Sequence, residues 1–545
     1  MPPRVDIYDT TLRDGSQREG LSLTVDDKLR VAEQLDHLGV HYIEGGWPGA
    51  NPKDDEFFQR APVELSLGSA TLVAFGSTRR ARGRAEDDEI LRLLLKAGTS
   101  TVCIVAKAWD YHVTEALRTD LDEAVRMVSD SVEFLHSEGR AVFLDAEHFF
   151  DGYKRNPEFS LRVLRAAEDA GAEALVLCDT NGGSLPHEAE RMVKEVVPLF
   201  ESAIGVHFHD DGGCAVANTL AGVRMGATQV QGCINGYGER TGNANLCTIV
   251  PDLTLKMGVE TIPVDRFERL MPVAHHVAEL VNLVPDPQQP YVGASAFAHK
   301  AGLHTSALAR ARDAYEHVNP DLVGNGTRFV VSELAGRSTL QFKAQELGLD
   351  VDGAALSGVL ERLKELEHRG YHFEAADGSL ELLMRGAGGW EQGFFRLESF
   401  RVITEQREDG RFVTEATIKV HVGDERIVAT AEGNGPVNAL DAAVRRAIGP
   451  SHPELANLHL TDYKVRVLDT AKGTGAVTRV LIDSTNGERS WSTIGVSENI
   501  IEASWQALAD SIVYGLLHQG DGAAGNGPGD GGPNGASGRN GNGSE

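Results

Sequence analysis

The sequence predicts an α/β fold: a (β/α)8 barrel (TIM barrel), then a helical subdomain, then a duplicated α+β C-terminal domain. Three observations support this order. Short apolar runs recur about every 25 to 40 residues over the first half of the chain, each followed by a longer segment with helical periodicity. Residues 292–390 have mostly helical patterns. Two similar β-rich segments then follow at an offset of about 63 residues.

Eight segments are candidate strands of the barrel. They are residues 5–12, 42–47, 72–77, 101–106, 141–147, 174–179, 204–209 and 229–235. Segments between them, such as 24–38 and 120–137, have apolar positions three and four residues apart, which predicts helices. Eight such units within about 250 residues fit a closed barrel better than an open doubly wound sheet. No GxGxxG motif follows the first strand, which argues against a dinucleotide-binding fold.

The residue pattern changes twice in the later part of the chain. A Pro-rich stretch at 284–291 predicts that the barrel ends near residue 283 and that linker and helical subdomains fill 284–393. Within 394–520, Ser399-Phe-Arg-Val-Ile403 resembles Asp462-Tyr-Lys-Val-Arg466, and helices predicted at 437–448 and 499–517 end the two halves. We therefore expect one pseudo-symmetric domain there. Residues 521–545 are rich in Gly, Asn, Ser and Pro, and we expect a disordered tail.

Composition limits the possible functions. The 545 residues are 41% hydrophobic and 24% charged, as in ordinary globular proteins. The net charge of −28 opposes broad binding to nucleic acid or to anionic membranes, so neither is an expected partner. Five cysteines without a CxxC pair indicate reduced thiols. Neither a signal sequence nor an apolar run of about 20 residues is visible, which predicts a cytoplasmic protein.

Polar residues are concentrated where the predicted strands end. In (β/α)8 enzymes the catalytic groups lie at the C-terminal ends of the strands. The relevant strand ends are Tyr8-Asp-Thr-Thr-Leu-Arg-Asp-Gly-Ser-Gln17, Leu144-Asp-Ala-Glu-His148, Cys178-Asp-Thr-Asn181, Val206-His-Phe-His-Asp-Asp211 and Asn235-Gly-Tyr-Gly-Glu-Arg-Thr-Gly-Asn243. We therefore expect donors, acceptors and acids to meet on one rim of the barrel.

A metal site is the clearest chemical signal on this rim. His207 and His209 are two residues apart on a strand, so their imidazoles point to the same side, where they can bind one divalent ion. Histidines at strand ends are also often merely hydrogen-bonded. Asp14 follows the first strand, which lies close to the seventh in a closed barrel, and this favours the metal.

Two further rim residues have alternative interpretations. Arg13, next to Asp14, forms either a surface ion pair or a clamp for an oxyanion or carboxylate. Glu147 is either a structural carboxylate or part of the catalytic machinery. The Gly-rich loop at 236–242 is only weak support for phosphate binding.

Several motifs together resemble the 2-isopropylmalate, homocitrate and citramalate synthases, which are Claisen-condensing members of the metallolyase barrel superfamily. They are Asp9-Thr-Thr-Leu-Arg-Asp-Gly-Ser-Gln17, His207-Phe-His209, Gly238-Glu-Arg-Thr-Gly-Asn243 and Ala296-Phe-Ala-His-Lys-Ala-Gly-Leu-His304. The C-terminal repeat, with Gly433-Asn-Gly-Pro-Val-Asn-Ala-Leu440, is similar to the allosteric domain of that family. The resemblance covers residues 4–517. Glu44-Gly-Gly-Trp-Pro-Gly49, followed by Asn51-Pro-Lys-Asp54, is most similar to the citramalate synthase branch.

The resemblance implies an acyltransferase that condenses acetyl-CoA, its co-substrate, with pyruvate and then hydrolyses the thioester to release citramalate and CoA. The alternative acceptor is 2-oxoisovalerate, the substrate of 2-isopropylmalate synthases. By resemblance, one divalent ion (Mn, Mg or Zn) is held by Asp14, His207, His209 and Asn243. Arg13, Gln17 and Thr180 are implied to bind the substrate, and Arg13 to stabilise the alkoxide formed at the ketone carbon.

The resemblance also assigns proton transfer and assembly. It implies that His304, assisted by Glu147, removes the α-proton of acetyl-CoA, with Tyr315 as a proton-transfer partner. His304 lies beyond the barrel, in a segment that in this family crosses onto a partner's barrel, so a homodimer or larger homo-oligomer is expected. The C-terminal domain is implied to be regulatory, with isoleucine as the expected feedback effector.

Other functions are possible for such a barrel. Lyases of the same superfamily share the Arg-Asp and HxH elements, but they usually lack the duplicated domain and rely on a cysteine in a Gly-rich loop. Zinc amidohydrolases place HxH on the first strand, whereas here it ends the seventh. A non-catalytic amino-acid sensor requires a missing site residue, and none is missing. The wall that selects the 2-oxo acid is expected from Phe75, Ile104 and Asp145.

Overall fold

The computed structural model contains a closed barrel of eight parallel strands, each hydrogen-bonded to the next. It describes residues 1–300, 307–308, 311, 314–331, 336–349, 351–468 and 470–519. The strands are β1 (Asp6–Asp9), β2 (Tyr42–Gly46), β3 (Thr71–Ser77), β4 (Thr101–Lys107), β5 (Ala141–Glu147), β6 (Ala174–Asp179), β7 (Ala203–Phe208) and β8 (Gln229–Gly232). Parallel pairing of Asp6 with Gln229 closes the barrel between β1 and β8. The predicted (β/α)8 barrel is confirmed.

Helices surround the barrel and cover the outer face of its strands. They are Val25–Leu38, Pro52–Glu64, Glu89–Lys96, Leu121–Ser137, Pro157–Asp169, Pro186–Val196, Ala215–Arg224 and Leu270–Leu280. The first is typical: Thr24 and Asp27 form a reciprocal capping box, and Leu29, Ala32 and Leu35 recur at helical spacing on its buried face. Shorter helical segments on the connections include Asp110–His112, Val113–Leu117, Phe149–Arg155, Leu246–Pro251, Asp252–Lys256, Val264–Arg269 and Pro320–Val323.

Alternation along the strands divides the apolar residues between two cores. Outward-facing strand residues such as Ile104 join the surrounding helices in one large cluster. Inward-facing residues, among them Tyr8, Phe75, Cys103 and Phe143, fill the barrel as a second cluster. The expectation that Ile104 lines the substrate wall is therefore wrong, because Cys103 and Val105 are the β4 residues that face the interior.

Two strands, β1 and β8, end three residues earlier than the sequence predicts, and both then turn across the rim. After β1, the Asp9 carboxylate accepts hydrogen bonds from the backbone N–H and the hydroxyl of Thr11, each at 2.9 Å, which ends the strand in a turn. After β8, Asn235 adopts φ 58° within the helical turn Ile234–Gly236. The polar residues that follow each strand are therefore on turns rather than on the strands themselves.

Two compact units divide the chain, one formed by Met1–Ala298 with Arg312–Arg328 and the other by His299–Ala311 with Phe329–Glu545. The second unit contains the helices Arg337–Glu346, Gly353–His368 and Asp377–Ala387. The short strands β9 (Ala298–His299) and β10 (Arg328–Phe329) lie where the chain passes from one unit to the other.

The C-terminal part of the second unit consists of two copies of a strand-strand-strand-helix motif, as the internal repeat predicts. The first copy is β11 (Arg396–Gln406), β12 (Phe412–Val422), β13 (Glu425–Gly433) and helix Pro436–Ile448, and the second is β14 (His459–Val467), β15 (Thr478–Thr485), β16 (Ser490–Ser497) and helix Ile500–Leu517. Each copy forms an antiparallel sheet with its second strand in the centre. Both helices bury their apolar residues in a shared core.

Two further expectations from the sequence concern membrane-spanning helices and the C-terminal tail. Within the ranges given above, no helix has both the length and the apolar character needed to cross a bilayer. The tail predicted at 521–545 lies outside the described residues.

Candidate functional site

A cavity of about 270 Å³ opens at the carboxyl ends of the barrel strands. It is lined by Arg13, Asp14, Gln17, Trp47, Phe75, Val105, Asp145, Glu147, Cys178, Thr180, His207, His209, Glu239 and Arg240. These residues lie in the carboxyl-terminal half of a strand or in the loop after it, because the parallel strands all deliver their carboxyl ends to the same rim. The polar strand ends identified in the sequence therefore do meet in one place.

Asp14, His207 and His209 present three ligand atoms to one point. Oδ2 of Asp14 is 3.3 Å from Nε2 of His207 and 3.7 Å from Nε2 of His209, and the two Nε2 atoms are 3.2 Å apart. Ligands bound at about 2.1 Å to a tetrahedral or octahedral ion lie about 3.0 to 3.4 Å from one another. All three side chains are buried. The spacing thus fits a single divalent cation.

Asn243 stands next to this cluster. Its backbone forms a bridge with that of His209, and its amide nitrogen donates to the Tyr237 carbonyl at 3.1 Å. Its amide oxygen is buried and has no hydrogen-bond partner among the described residues. Burying a polar oxygen without a partner is costly, and coordination to a cation would satisfy it. Asn243 therefore fits a place in the ligand set.

The Gly-rich loop at 236–242 determines where Asn243 lies. A Cβ at Gly238 would lie 2.2 Å from the Asn243 amide nitrogen, and one at Gly242 would lie 2.1 Å from the Gly236 carbonyl oxygen. Gly242 also has φ 102°, a conformation that other residues rarely adopt. These glycines are explained by close packing around Asn243, without a bound phosphate.

Buried charges set the protonation of the cluster. Burial alone raises the pKa of the Asp14 carboxyl, but the charge of Arg13 and the hydrogen bond from His207 hold that pKa well below its usual range. Burial and the charge of His207 lower the pKa of His209 to about 4. Near neutral pH, Asp14 is therefore ionised and His209 is neutral, which are the states that ligate a cation.

Arg13 is held rigidly beside the cluster. Its Nε donates to Glu44 Oε1 at 2.5 Å, and its guanidinium carbon lies 3.9 Å from the centre of the Phe75 ring. Glu44 is fully buried and also accepts a hydrogen bond from the Tyr8 hydroxyl at 2.6 Å. Burial lowers the pKa of Arg13, but the charges of Glu44 and Asp14 outweigh it and raise that pKa. With a side chain only 14% exposed, Arg13 is not a surface ion pair.

Thr180 and Gln17, expected to bind substrate, both line the cavity. The Thr180 hydroxyl oxygen accepts a hydrogen bond from the backbone N–H of His148 at 2.9 Å. That contact fixes the oxygen and leaves the hydroxyl proton free to be donated.

Glu147 lines the cavity and forms an ion pair with Lys107. The two residues are register partners at the ends of β4 and β5. Sequence reasoning missed Lys107, because the predicted fourth strand stopped one residue too early, at residue 106. It also assigned no role to Glu44, which was used only as the first residue of the motif Glu44-Gly-Gly-Trp-Pro-Gly49. In both cases the available signal was a charged residue at the end of a barrel strand.

Of the remaining two predicted site residues, only Tyr315 is described. His304 lies outside the described residues. Tyr315 is described, is 42% exposed, and is not among the residues that line the cavity. A missed residue, Arg240, does line it, and Arg240 donates to the Asp211 carboxylate at 2.7 Å and to the Thr180 carbonyl at 2.8 Å.

Three family models match the chain in order. Residues 4–275 match the HMGL-like family, residues 291–371 the homocitrate synthase post-HMGL domain-like family, and residues 374–516 the LeuA allosteric (dimerisation) domain. The first match covers the barrel and the cluster of Asp14, His207 and His209, called the metal-binding cluster below after its proposed role. The third covers both copies of the C-terminal repeat.

Whole-length relatives agree with these matches. An (R)-citramalate synthase of Streptomyces coelicolor is 54% identical over 94% of this chain and 97% of its own length. One of Aquifex aeolicus is 51% identical over 95% of this chain and 98% of its own length. One of Sulfolobus acidocaldarius is 44% identical over 94% of this chain and 96% of its own length. The chain belongs to the (R)-citramalate synthase family.

Proposed function

We propose that the protein is an (R)-citramalate synthase, which joins the methyl carbon of acetyl-CoA to the keto carbon of pyruvate and hydrolyses the thioester. The observation that carries the proposal is the Asp14, His207 and His209 cluster beside Arg13, in a cavity of about 270 Å³. The apolar part of its wall consists of Trp47, Phe75 and Val105. A small keto acid with a single methyl group fits such a site.

The cation would be held by Asp14, His207, His209 and the amide oxygen of Asn243. Two imidazoles with two oxygens suit Zn, Mn or Mg. When bound, it supplies Lewis acidity that polarises the keto and carboxylate oxygens of the 2-oxo acid.

Arg13 and Thr180 would orient the 2-oxo acid. The Arg13 guanidinium is fixed by Glu44 and Phe75, so its remaining N–H groups are pre-aimed at the developing negative charge on the keto oxygen. The free hydroxyl proton of Thr180 would be donated to the substrate carboxylate, with Gln17 beside it.

Glu147, His304 and Tyr315 remain the proposed groups for proton transfer, on the strength of the motif they share with the family. Lys107 adds a constraint from the structure: its ion pair fixes the position of Glu147 at the cavity wall. A carboxylate held in one place is suited to orient a base that takes the α-proton of acetyl-CoA.

A second cavity adjoins the first and is proposed to receive acetyl-CoA. It measures about 440 Å³ and shares Arg13, Gln17 and Trp47 with the metal cavity. Leu21 and Leu23 give it an apolar wall suited to the pantetheine arm. Lys53 also lines it, and its Nζ donates to the Leu23 carbonyl at 3.0 Å. An ammonium with a neutral acceptor is available to a phosphate.

Replacing Lys53 tests this cavity. Lys53→Ala is expected to raise the KM for acetyl-CoA about tenfold, which corresponds to the loss of one charge-assisted contact, with the KM for pyruvate unchanged. Lys96→Ala, on an exposed helix end, is the matched control. Equal KM values for acetyl-CoA in the Lys53 variant and the wild type would place CoA elsewhere.

The LeuA domain provides for oligomerisation and allosteric control, and we propose a homodimer regulated by isoleucine. A cavity of about 580 Å³ in this domain is lined by Val437, Asp441, Arg445, Leu458 and Tyr463, among others. Arg445 and Asp441 form an ion pair at 2.8 Å. A zwitterion needs a cation for its carboxylate and an acid for its ammonium, with apolar groups for its side chain.

Isoleucine inhibition tests this assignment. Arg445→Met is expected to raise the isoleucine concentration for half-inhibition at least tenfold while leaving kcat unchanged. Arg446→Met, on the same helix but bonded to the Thr430 carbonyl, should keep wild-type inhibition. Wild-type inhibition in the Arg445 variant would contradict the assignment.

A panel of 2-oxo acids decides the acceptor. We expect CoA release to be fastest with pyruvate and much slower with 2-oxoisovalerate, whose branched chain needs more room. Dialysis against a chelator should abolish release, and adding back Mn, Mg or Zn should restore it. A clear preference for 2-oxoisovalerate would identify a 2-isopropylmalate synthase instead.

A further inference from the structure

A buried glutamine links one member of the metal-binding cluster to an acid inside the barrel. Gln231 is fully buried at the end of β8 and is the register partner of His207 on β7. Its Oε1 is 2.8 Å from Nδ1 of His207, and its Nε2 donates to Asp145 Oδ1 at 3.0 Å. No step of the proposed reaction uses Gln231.

The acid fixes which way the amide points. Burial raises the pKa of the Asp145 carboxyl, while the hydrogen bond from Gln231 favours its ionised form. In that form it can only accept hydrogen bonds, so Asp145 receives the NH2 group of Gln231, as the structure has it. The Cys103 sulfur lies within 4.8 Å of an Asp145 carboxylate oxygen, and burial raises the pKa of that thiol, so it adds no negative charge beside Asp145. The opposite end of the amide, the carbonyl oxygen, then faces His207.

The amide in turn fixes the tautomer of the imidazole. A carbonyl oxygen at 2.8 Å from Nδ1 requires that Nδ1 carry the proton. In neutral imidazole, Nε2 then carries the lone pair, and Nε2 is the atom that lies 3.3 Å from Asp14 Oδ2 within the cluster. His209 has no such partner: its Nδ1 is buried and unbonded in the part of the chain that the structure describes.

We infer that Gln231, anchored by Asp145, is a positioning residue that holds His207 in the Nδ1–H tautomer and so presents Nε2 to a divalent cation. The inference rests on the proposed metal site. Outer partners of this kind typically contribute about 10- to 100-fold to metal affinity.

Three variants separate this role from general packing. Gln231→Leu removes both hydrogen bonds at similar volume. Gln231→Glu keeps an acceptor for His207 and, by sharing one proton with Asp145, keeps the second contact. Gln229→Leu is the matched control, since Gln229 is buried on the same strand and the same face, two residues away, and its Oε1 has no partner among the described residues.

Mn²⁺ affinity is measured on the full chain without substrates, by electron paramagnetic resonance of the free ion. Gln231→Leu should bind Mn²⁺ about 10- to 100-fold more weakly than wild type, with Gln231→Glu and Gln229→Leu within about threefold. Nitrogen-15 spectra of the metal-free protein, recorded at a pH high enough for His207 to be neutral and with its signal assigned from His207→Ala, should show Nδ1–H in wild type and a tautomer mixture in Gln231→Leu. This second readout does not depend on metal binding or on activity.

The outcomes distinguish a failure of the positioning role from a failure of the metal site on which it rests. Wild-type Mn²⁺ affinity in Gln231→Leu, equal losses in Gln231→Leu and Gln229→Leu, or an unchanged His207 tautomer would overturn the positioning role and leave the metal site standing. A wild-type protein that binds no divalent ion would overturn the metal site and the positioning role together.

Discussion

Arg13 shows how a single rim residue is prepared before substrate arrives. Glu44 accepts from its Nε, Phe75 lies under its plane, and Asp14 balances its charge at 3.5 Å. A planar guanidinium can satisfy all three contacts and still present N–H groups to the cavity, whereas an ammonium cannot. Pre-orientation of this kind is what makes a charged donor effective in the transition state.

We therefore expect Arg13→Lys to lower kcat/KM by about 100- to 1000-fold even though the charge is kept. Steady-state CoA release with pyruvate measures the loss. Arg18→Lys is the control, since Arg18 lies 5.4 Å from the Tyr237 ring and has no described contact with the metal-binding cluster. Activity within threefold of wild type in Arg13→Lys would show that charge alone is sufficient.

Among single residues, the sequence allowed prediction of those whose strand and chemistry both pointed to the rim. Asp14, His207, His209, Gln17 and Thr180 all line the cavity as expected. The partners of Gln231 and Lys107 could not be predicted, because they are the residues opposite them on the neighbouring strand. Register between strands is a tertiary property that one-dimensional spacing does not contain.

At the scale of elements, the loop after β8 places Asn243 through close backbone packing. Gly242 has φ 102°, and a Cβ there would lie 2.1 Å from the Gly236 carbonyl oxygen. A side chain at this position must displace the backbone, and Asn243 follows directly.

Gly242→Ala is accordingly expected to weaken Mn²⁺ binding about tenfold, as the loss of one ligand from its place would. Calorimetric titration of the apo protein measures it. The control is Gly183→Ala in the rim loop after β6, where a Cβ meets nothing within 4 Å. If Gly242→Ala binds Mn²⁺ as tightly as Gly183→Ala, then Asn243 is not a ligand.

Elements were predictable to the extent that their burial is periodic. All eight strands were found, because each is buried on both sides and reads as an apolar run between helices. The largest errors were at the ends of β1 and β8, where Asp9 and Asn235 turn the chain by local polar contacts and a positive φ. The two C-terminal sheets were found from the repeat rather than from strand pattern.

At the scale of the whole molecule, the net charge of −28 and the anionic substrates oppose each other. Positive charge is nevertheless present at the cavity, since Arg13 and Arg240 line it and Lys107 pairs with Glu147 at its wall. Attraction of a 2-oxo acid therefore depends on a few fixed cations, and on the proposed metal, rather than on the field of the protein.

The C-terminal repeat matches a dimerisation domain, so the surfaces of this repeat bear on how two chains assemble. The outer strands β11 and β14 are sheet edges in the described structure, and Val465 and Val467 on β14 are 42% and 46% exposed. Exposed edges with apolar side chains are where a second chain adds.

Complementation between two inactive variants tests whether the active site is shared between subunits. His207→Ala lacks a proposed metal ligand, and His304→Ala lacks the proposed base. If His304 serves the barrel of a partner, a mixed dimer contains one barrel with an intact His207 and a wild-type His304 from the other chain. Random exchange makes half of the dimers mixed, each with one complete site, so activity should recover to about one quarter of wild type. Recovery is followed by CoA release after subunit exchange, which is verified with differently tagged chains.

The variants His207→Ala and Asp14→Ala, both on the barrel, are the control pair and should give no recovery. Absence of recovery for the first pair after proven exchange would mean that each chain completes its own site.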